Sequence, residues 1–260
     1  MNEIDIILLT HNKLENTIRC VEALYQNAGV PFKLTVIDDS TDGLTPLYFQ
    51  HLKNVNYVRP DVKIKSANQV LNIGLKLTQS DPFMFLGNST FIEPEALPTA
   101  LDFMKCEPKI GLVGFKVVSP NDGRLMDAGG FERNRLMNFE GGHRYNIVAE
   151  VPIIGWAAVV IRRATLPEEG LDEDYYIGFR GIDDTDNCLE IRKRGWKIVY
   201  MGLGVVLHQP ESSEAKVVEG TMVNVSAMQR RMDGVENAER FKKKWGKSIK
   251  EMKAKFKEGG

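Results

Sequence analysis

Three aspartates, Asp183, Asp184 and Asp186, crowd the stretch GFRGIDDTDNCLEIRKRGW that runs from Gly178 to Trp196. The glycine-containing segment before them and the pattern after them predict that they stand at the N-terminus of a helix. Carboxylates are favoured there by the helix dipole and the free backbone N–H groups, so capping is the simplest interpretation and suffices for Asp186. One cap does not need three acids, however. Clustered carboxylates raise one another's pKa, and one of them could then serve as a general base.

A second set of polar residues follows the first two apolar runs of the chain, at Thr10-His11-Asn12 and at Asp38-Asp39. If both runs are strands of a parallel sheet, these residues lie side by side at one edge. A carboxylate there can accept hydrogen bonds from a base or from a ribose hydroxyl. The alternative is that Asp38 to Gly43 only forms a turn, which Asp, Ser and Gly favour for local reasons. No G-x-G-x-x-G sequence follows the first run, which argues against a nicotinamide-dependent dehydrogenase.

Two further candidates lie at other predicted strand ends. The segment FMFLGNSTFIEPEAL is an apolar run that stops at Gly87-Asn88-Ser89-Thr90, and none of these four residues carries a charge. His208 follows the short apolar run Val205 to Leu207. A lone histidine at a strand end is usually incidental, but a neutral imidazole that faced the acidic cluster could ligate a metal ion.

The order of the apolar segments predicts the scaffold that would position these residues. Through the first 97 residues, apolar runs typical of buried parallel strands alternate with segments of helical spacing. This alternation predicts a Rossmann-like α/β fold with a mixed, mostly parallel sheet flanked by helices. The predicted strands are Ile4–Leu9, Phe32–Ile37, Val55–Val58 and the run from Phe83; the predicted helices are Leu14–Asn27, Thr45–His51, Ala67–Thr78 and one that starts at Glu93-Pro94-Glu95.

After Leu97 the regular alternation ends, but no repeat and no low-complexity linker divides the chain. We expect strands at Ile110–Val118, Ile153–Ile161, Lys197–Tyr200 and Val205–Leu207, a long surface loop at Leu125–Asn146, and a helix at Asp184–Arg194 that Gly195 ends. The prediction is a single domain over residues 1–220, with a nucleotide-binding half at 1–97 and an acceptor-binding half at 98–220, followed by a basic helical extension at 221–260.

The last segment, Asn237–Lys257, has an apolar stripe on one face and lysines on the other. The stripe recurs at spacings of four, four, three and four residues, at Phe241, Trp245, Ile249, Met252 and Phe256. We expect this amphipathic helix to pack against the body of the protein. A second hypothesis is that its basic face and aromatic residues bind an anionic membrane surface.

The composition is that of a globular protein with an ordinary core. Of the 260 residues, 43% are hydrophobic and 27% charged, and the net charge of −1 gives no reason to expect binding to nucleic acid. The three cysteines show no C-x-x-C spacing, which favours a reducing compartment over a disulfide framework. No leader-like segment precedes the first strand, and the longest apolar run, Val151–Ile161, is too short to span a bilayer. We therefore expect a cytoplasmic protein, with peripheral contact to the inner face of the membrane as an alternative.

The order of several segments resembles that of family 2 glycosyltransferases with the GT-A fold, especially their rhamnosyltransferase-like and galactosyltransferase-like members. The segments are IDIILLTHNKLENTIRCVEAL, TVIDDSTDG, NQVLNIGLKLTQSD before FMFLGNST, DGRLMDAGGF, IIGWAAVVIRR, GLDEDYYIGFRGIDDTDNCLEIRKRGWKIVY and VVLHQ. No single motif is decisive, but their joint order, from about Ile4 to His208, is specific. The resemblance implies an inverting transfer of a sugar from a nucleotide-diphosphate donor to a hydroxyl group of a saccharide or other acceptor.

The resemblance also implies roles in donor binding. Thr10 and Asn12, with Asp39 or its neighbour Asp38, match the positions that hold the nucleotide base and ribose. His208 matches a histidine that in some relatives ligates the metal ion.

A further implied role is catalytic. Asp183 and Asp184 match a Glu-Asp pair in which the second residue is the base of inverting transfer and the first helps to orient the acceptor. Asp184 is thus the expected base. We expect Leu125–Asn146 and Gly155-Trp156 to help form the acceptor side, with Trp156 as a sugar-stacking platform or, equally compatible with the sequence, as a core residue.

The family's fourth strand ends in a D-x-D motif whose last Asp binds a divalent cation that bridges the two donor phosphates. Gly87-Asn88-Ser89 stands at this position, which argues against a Mg²⁺ or Mn²⁺ cofactor because hard cations prefer carboxylates. Three alternatives follow. The metal could be held by His208 and the donor's own oxygens, the protein could have kept donor binding and lost turnover, or the diphosphate could be neutralised by cationic side chains. We favour transfer with little or no metal dependence, with Asn88 and Ser89 as donor-binding residues and cations such as Lys63, Lys65 or Arg162.

Two rival functions remain at this point. The missing carboxylates are also compatible with a nucleotide-sugar-binding protein without catalysis. A nucleotidyltransferase would share the alternating sheet and the nucleotide site, but no glycine-rich loop bearing Lys or Arg follows Leu9.

Overall fold

The computed structural model describes residues 3–62, 64–129, 135–136, 145–176, 182–209, 216–218, 221–223, 225–248 and 250–251. The helices in these ranges are α1 (Leu14–Asn27), α2 (Leu44–His51), α3 (Ala67–Leu77), α4 (Ala96–Cys106), α5 (Ile182–Lys193) and α6 (Val225–Trp245). The strands are β1 (Ile4–Thr10), β2 (Phe32–Asp38), β3 (Val55–Val58), β4 (Phe83–Gly87), β5 (Thr90–Ile92), β6 (Ile110–Val118), β7 (Arg124–Asp127), β8 (Arg135–Leu136), β9 (Val148–Glu150), β10 (Ala158–Ile161), β11 (Lys197–His208), β12 (Lys216–Val218) and β13 (Thr221–Val223).

One sheet organises the molecule, with its main path in the order β3-β2-β1-β4-β10-β6-β11-β5. Strand β1 pairs in parallel with β2 and β4, and β11 pairs in parallel with β6. Strand β10 lies antiparallel between β4 and β6 and joins the two parallel groups. The predicted mixed α/β sheet flanked by helices is therefore confirmed.

Strand β1 shows why this sheet is buried on both faces. Ile6 and Leu8 pack into one hydrophobic cluster and Ile7 into the cluster on the opposite face, and all three side chains are fully buried. Alternate side chains of a strand point to opposite faces, so a continuous apolar run fits a sheet covered by helices on both sides. Burial of each side chain contributes roughly 1.5–3 kcal/mol. The core therefore fixes the position of Thr10 at the end of this strand.

The register brings four strand ends to one edge of the sheet. Thr10 lies opposite Asp38 across β1 and β2, and Leu9 lies opposite Gly87 across β1 and β4. At the other end of the path, the last residue of β11, His208, pairs with Thr90 of β5, just after the β4 end. We call this the carboxyl edge, and it is where ligands of open α/β sheets bind.

Two strands differ from their predicted extents. Thr90–Ile92 forms β5, where the sequence predicts a loop that leads directly into a helix, because these three residues pair antiparallel with the end of β11. A strand of three residues is too short to show the alternation of residue types from which a strand is predicted. Of the predicted strand Ile153–Ile161, only Ala158–Ile161 pairs with its neighbours. The segment before it is held differently, since the Gly155 N–H donates to a carboxylate oxygen of Asp127 at 2.8 Å.

The predicted strands Lys197–Tyr200 and Val205–Leu207 are a single strand, β11, with a register shift between Met201 and Val205. Gly202 lies within this irregular part of β11, and the strand continues past it. A Cβ atom at Gly202 would lie 1.9 Å from the carbonyl oxygen of Tyr145, so the glycine permits a close approach of two backbone segments.

The predicted loop Leu125–Asn146 begins within β7 and includes β8, while residues 130–134 and 137–144 of it lie outside the described ranges. Helix α6 begins at Val225 rather than at Asn237 and ends at Trp245, where Gly246 takes a left-handed φ of 67°.

The described part of the C-terminal stripe packs against the body, as predicted. Phe241 is fully buried with Ile182 and Tyr176, and Trp245 packs beside them. The other stripe residues, Ile249, Met252 and Phe256, lie outside the described part of the chain. None of the helices in the described ranges combines the length and apolar character needed to cross a membrane.

Candidate active site

The ends of β1 and β2 are joined by a buried carboxylate. One oxygen of Asp38 accepts hydrogen bonds from the Thr10 hydroxyl and the Ser40 N–H, both at 2.9 Å. The other accepts from the Tyr57 hydroxyl at 2.6 Å and lies 3.5 Å from the Arg59 guanidinium. Burial alone would raise the pKa of Asp38, but the hydrogen bonds from Ser40, Tyr57 and Thr10 outweigh it and hold the pKa below its usual value. Asp38 therefore joins strand ends, and both of its oxygens already have partners.

The side chain of Asp39, unlike that of Asp38, is partly exposed to solvent. Its carboxylate is 21% exposed and lies 3.5 Å from the ring of His11, while the Ile64 N–H approaches its other oxygen at 3.4 Å. The backbone N–H of Asp39 donates to Thr10 and so continues the pairing of β1 and β2. Of the two candidate ribose ligands, Asp39 is the one whose carboxylate solvent and a ligand can reach.

Asn12 connects the loops that follow β1 and β2. Its side-chain oxygen accepts from the N–H groups of Thr41 and Asp42 at 2.7 and 3.0 Å, and its own N–H donates to the Ser40 hydroxyl. Asn12 and Lys13 both have positive φ angles, 55° and 59°. This conformation is rare for residues other than glycine, although Asn tolerates it well. The side chain of Asn12 thus shapes the part of the carboxyl edge that follows β1 and β2.

The uncharged loop Gly87-Asn88-Ser89 faces this turn. The Asn88 amide group is buried and donates to the Asn12 carbonyl and to the Thr17 hydroxyl, both at 2.9 Å. Asn88 therefore holds the start of α1 against the end of β4. Ser89 is partly exposed, its carbonyl accepts from the Gln209 N–H at 2.8 Å, and its hydroxyl lies 3.5 Å from the Asn16 amide nitrogen. Within this loop, only Ser89 presents a polar side chain to solvent.

A cleft of about 300 Å³ opens beside this loop and brings together the residues predicted for catalysis, acceptor binding and metal binding. Because α5 begins next to the carboxyl edge, its first turn places both aspartates at the cleft wall. The lining residues are Ala67, Asn68, Phe85, Trp156, Ala157, Asp183, Asp184, Asn187 and His208.

Two buried polar atoms of this cleft are left without protein partners. Within the described ranges, the Asp183 Oδ2 atom and the Trp156 indole nitrogen make no hydrogen bond of normal geometry. The Trp156 side chain does act on the Cys188 thiol, whose pKa it lowers, but burial has the larger effect and raises that pKa. Buried polar atoms are rarely left unsatisfied without a functional reason. A carboxylate acceptor and an N–H donor in one cleft fit a hydroxyl-bearing ligand, since a hydroxyl group both donates and accepts.

Burial also has the largest effect on the pKa of Asp183. It raises the pKa of this carboxyl group, while N–H groups of Asp184, Asp183 itself and Ala67 act in the opposite direction. Asp184, the next residue, is half-buried, and one of its oxygens accepts from the Thr185 hydroxyl at 3.2 Å. The more accessible carboxylate of the pair is thus Asp184, the predicted base.

His208 lies at the other side of the cleft, where one ring nitrogen is 3.0 Å from the Thr90 hydroxyl. Burial and the charge of Lys13 lower the pKa of His208, so its ring is neutral at pH 7. A neutral imidazole can ligate a metal, but no carboxylate replaces the D-x-D aspartates. Among the residues that the structure describes, no three or more His, Cys, Asp or Glu side chains are arranged to hold a metal ion. Within the described residues, a single imidazole beside an uncharged loop does not provide the oxygen ligands that Mg²⁺ prefers.

The expectation that Asp186 only caps its helix is wrong. Asp186 lies one turn inside α5 and is almost fully buried. Its carboxylate accepts from Lys244 at 2.7 Å, from the Trp245 indole N–H at 2.6 Å and from the Tyr176 hydroxyl at 3.1 Å. Two of these partners lie in α6, some 60 residues later in the sequence. Asp186 therefore ties the C-terminal helix to the helix that carries Asp183 and Asp184.

The predicted cationic residues are dispersed. Arg162 binds the carbonyl oxygens of Ile110 and Met104, at the opposite edge of the sheet, so it does not reach the carboxyl edge. The ammonium of Lys65 is exposed and lies 3.8 Å from a carboxylate oxygen of Asp174, and Lys63 lies outside the described ranges.

Three residues in or near the candidate site were not identified from the sequence. Arg59 binds Asp38 and the Ser40 carbonyl, Asp127 holds Gly155 next to Trp156, and Lys13 lies near His208. The DGRLMDAGGF segment marks Asp127, but nothing in it indicates its partner.

Solved structures of glycosyltransferases share this fold. GalNAc-T7, solved with UDP, GalNAc and Mn²⁺, superposes with a TM-score of 0.62 at 13% identity, over 84% of this chain and 44% of that one. TarS of S. aureus superposes with a TM-score of 0.59 at 14% identity, over 80% of this chain and 60% of that one. The present chain thus spans less than two thirds of either neighbour. At these identities the likeness establishes the GT-A fold.

The sequence itself gives the family. No curated protein sequence matches the chain significantly. The profile of the family described as "Glycosyltransferase like family 2", however, matches residues 6–231, which include the ends of β1, β2, β4 and β11 and the acidic start of α5. With most of its length and its whole candidate site inside that match, the chain belongs to glycosyltransferase family 2.

Proposed function

We propose that this protein is an inverting glycosyltransferase that moves a hexosyl or deoxyhexosyl group from a nucleotide-diphosphate sugar to a hydroxyl group of a saccharide or other acceptor. The observation that carries the proposal is the 300 Å³ cleft, in which Asp183, Asp184, Trp156 and His208 meet beside the nucleotide-side strand ends. A donor held at the ends of β1 and β2 would direct its diphosphate and sugar into this cleft.

In the proposed reaction, Asp184 is the general base. It takes the proton of the acceptor hydroxyl as that oxygen forms a bond to the anomeric carbon. The bond from the anomeric carbon to the diphosphate oxygen breaks on the opposite face, and the electron pair leaves with the nucleoside diphosphate. Because bond formation and bond breaking take place on opposite faces of the sugar, the configuration is inverted.

The residues around Asp184 would orient the acceptor. The unpaired Oδ2 atom of Asp183 accepts a hydrogen bond from one acceptor hydroxyl, and the Trp156 N–H donates to another. Trp156 is 9% exposed and its ring packs edge-on to Phe85, so the indole offers its N–H and a ring edge rather than a wide stacking face. We therefore assign Trp156 to hydrogen bonding of the acceptor.

For the donor, we propose that Asp39 binds the ribose hydroxyls and that Thr10, Asn12 and Asp38 shape the base and ribose pocket. We assign Ser89 to the phosphates because its side chain is partly exposed at the end of β4. Lys65, whose ammonium is exposed, would lie at the edge of the donor site. Binding of α6 to a membrane is not part of the proposal, because Phe241 and Trp245 already pack against the body.

The test is the Asp184→Asn variant. Asn is isosteric and still caps a helix well, so folding and donor binding should persist while transfer falls by roughly 10²–10⁴-fold, the usual cost of losing a general base. The measurements are product formation with a panel of nucleotide sugars, donor binding by calorimetry and thermal unfolding. Near wild-type turnover in the variant would exclude Asp184 as the base. Donor binding without hydrolysis or transfer in the wild type would indicate a binding protein, and pyrophosphate release would indicate a nucleotidyltransferase.

A further inference from the structure

A buried hydrogen bond joins the helix that carries Asp183 and Asp184 to α3. The side-chain amide of Asn187 donates to the side-chain oxygen of Asn68 at 2.7 Å, across 119 positions of the sequence. Both side chains are almost fully buried, at 4% exposure, and both residues line the cleft. Because a hydrogen bond weakens steeply away from its preferred distance and angle, this contact restricts how α5 can lie relative to α3.

The position of Asn187 in α5 connects this bond to the two carboxylates. Asn187 follows Asp184 by three residues and Asp183 by four. Residues at these spacings are neighbours on one face of a helix. The face of α5 that bears both carboxylates is therefore held by Asn68, whereas the carboxylate of Asp186 is bound to α6.

Asn68 is itself held by the segment that precedes α5. Its side-chain N–H donates to the Asp172 carbonyl at 2.7 Å. The hydroxyl of Ser66, the N-cap residue of α3, donates to the Glu173 carbonyl at 3.1 Å. These two bonds attach the first turn of α3 to a second part of the chain. The side-chain oxygen of Asn68 therefore has a fixed place from which it accepts the Asn187 N–H.

The same end of α3 lies next to the proposed ribose ligand. The N–H of Ile64, two residues before Ser66, approaches a carboxylate oxygen of Asp39 at 3.4 Å, and the Ile64 side chain is buried. The short stretch from Ile64 to Asn68 thus contacts Asp39 at one end and α5 at the other. The bond between Asn68 and α5 connects the proposed base to the proposed donor site.

We propose that Asn68 and Asn187 are a positioning pair for the transfer reaction. Their hydrogen bond holds α5 at the distance from α3 at which Asp184 reaches the acceptor hydroxyl while the donor is bound. This inference rests on the proposed function. Neither amide group exchanges a proton with the substrates.

The pair acts on the rate of transfer more than on donor binding. Transfer requires that the attacking oxygen, the anomeric carbon and the base be aligned, and a displacement of about 1 Å can lower the rate by about 10²-fold. Asp39 and the ends of β1 and β2 are held by their own contacts, so the nucleotide side does not depend on the bond between Asn68 and Asn187.

The test compares Asn187→Leu, Asn68→Leu and the double variant. Leu has nearly the shape of Asn but no polar group, so each single change breaks the bond and leaves the other buried amide group without this partner. In the double variant neither amide group remains, and replacing both partners by apolar groups of similar shape costs little stability. A hydrophobic contact has no preferred direction, so the double variant should regain stability relative to Asn68→Leu without regaining the position of α5.

The matched control is Asn27→Leu. The side chain of Asn27 also joins a helix to a distant segment, because it donates to the Ile92 carbonyl at 2.9 Å, and this bond involves neither α3 nor α5. Kinetics use the nucleotide sugar and acceptor that support transfer by the wild type, at a temperature at which every variant is folded. Calorimetry measures the affinity for the matching nucleoside diphosphate, and thermal unfolding measures stability.

We expect kcat to fall by about 10–100-fold in each single variant, while the affinity for the nucleoside diphosphate stays that of the wild type. The two losses should not multiply: kcat of the double variant should equal that of the single variants, because all three lack the same bond. The melting temperature of the double variant should nevertheless be higher than that of Asn68→Leu. Asn27→Leu should lower the melting temperature without a change in kcat.

Three results would overturn the inference while leaving the proposed function intact. The first is an unchanged kcat in folded Asn187→Leu. The second is a pair of losses that multiply in the double variant, since the two residues would then act independently. The third is a kcat that recovers together with the melting temperature in the double variant, which would assign the effect to stability alone. If the wild type transfers no sugar from any nucleotide sugar, the inference and the proposed function both fail.

Discussion

The indole N–H of Trp245 donates a 2.6 Å hydrogen bond to Asp186, and so joins the last turn of α6 to the helix that bears Asp183 and Asp184. Lys244 binds the other oxygen of the same carboxylate at 2.7 Å. The loop before α5 takes part as well, because the Tyr175 hydroxyl donates to the Arg240 carbonyl and the Arg240 guanidinium donates to the Tyr175 carbonyl. The C-terminal helix therefore braces the acidic segment from outside the cleft.

Trp245→Phe should lower both stability and turnover. The variant keeps an aromatic ring but removes one hydrogen bond to a buried carboxylate, which should lower the free energy of unfolding by about 1.5–3 kcal/mol. Because Asp186 then holds α5 less firmly, kcat should fall while donor affinity stays near wild type. Urea unfolding and steady-state kinetics measure the two effects. The matched control is Trp196→Phe, just before β11, for which kcat of the folded enzyme should not change; an equal loss of kcat in both variants would contradict the bracing role.

Asp38→Ala and Asp39→Ala should have opposite consequences. Removing the Asp39 carboxylate should weaken nucleoside diphosphate binding by about 10–100-fold through lost hydrogen bonds, with little effect on the melting temperature. Removing the Asp38 carboxylate leaves the Thr10 and Tyr57 hydroxyls without their acceptor and should lower the free energy of unfolding by about 3–5 kcal/mol. Calorimetry and urea unfolding separate the two outcomes. Unchanged nucleotide affinity in Asp39→Ala would exclude it as the ribose ligand.

The stabilising effect of Asp38 should also depend on pH. Its pKa in the folded protein is lower than the ordinary value of 3.8, so the ionised form is favoured by folding. The contribution is then fully present above pH 3.8 and is lost as the pH falls through the lower folded value. The difference in melting temperature between the wild type and Asp38→Ala should accordingly stay constant near neutral pH and shrink only in strong acid. If this difference in melting temperature already shrank at pH 6, a group other than Asp38 would be the cause of the pH dependence.

Asp183→Asn should stabilise the protein and impair it. Burial raises the pKa of Asp183, so above the ordinary value of 3.8 the folded state disfavours the ionised carboxylate relative to the unfolded state. This penalty disappears as the pH falls below the ordinary value of 3.8, because the group is then protonated in both states. A neutral amide removes the penalty, and relief of about 1 kcal/mol would raise the melting temperature by roughly 2–4 °C at pH 7.5. The gain should shrink toward pH 4. Acceptor KM should rise, whereas a lower melting temperature at pH 7.5 would contradict the burial argument.

Ser89→Asp should make the enzyme respond to metal. If the donor binds as proposed, a carboxylate at this position repels the diphosphate, and in a partly buried site that repulsion is poorly screened. Transfer in EDTA should therefore fall in the variant, and Mn²⁺ or Mg²⁺ should restore part of it, while the wild type should show no such response. If EDTA silences the wild type and metal restores it, His208 becomes the leading protein ligand, and His208→Ala should then abolish the response.

The sequence correctly predicted those features that depend on a single strand or helix. The apolar runs before Thr10 and Asp38 predicted two parallel strands, and their register put both residues at one edge. Which of Asp38 and Asp39 faces outward could not be predicted, because the answer depends on Tyr57 and Arg59 of the next strand and loop.

Contacts between distant segments were the main source of error. Asp186 has the position of a capping residue in the sequence, but its partners are 58 and 59 residues further on. Likewise, nothing in the sequence around Asn12 indicates that the side chain of Asn88, 76 positions later, donates to its carbonyl. A three-residue strand such as β5 has no period of its own and exists because β11 lies beside it.

The bracing of α5 by α6 has a consequence for biosynthesis. A nascent chain that has emerged only as far as residue 224 already contains Asp183, Asp184 and every strand of the main sheet, but it lacks Lys244 and Trp245. Of the three described side chains that donate to Asp186, that chain contains only Tyr176, so the buried carboxylate has fewer partners to offset its loss of water. In the order of translation, the two α6 side chains that bind Asp186 are therefore among the last parts of the described fold to be made.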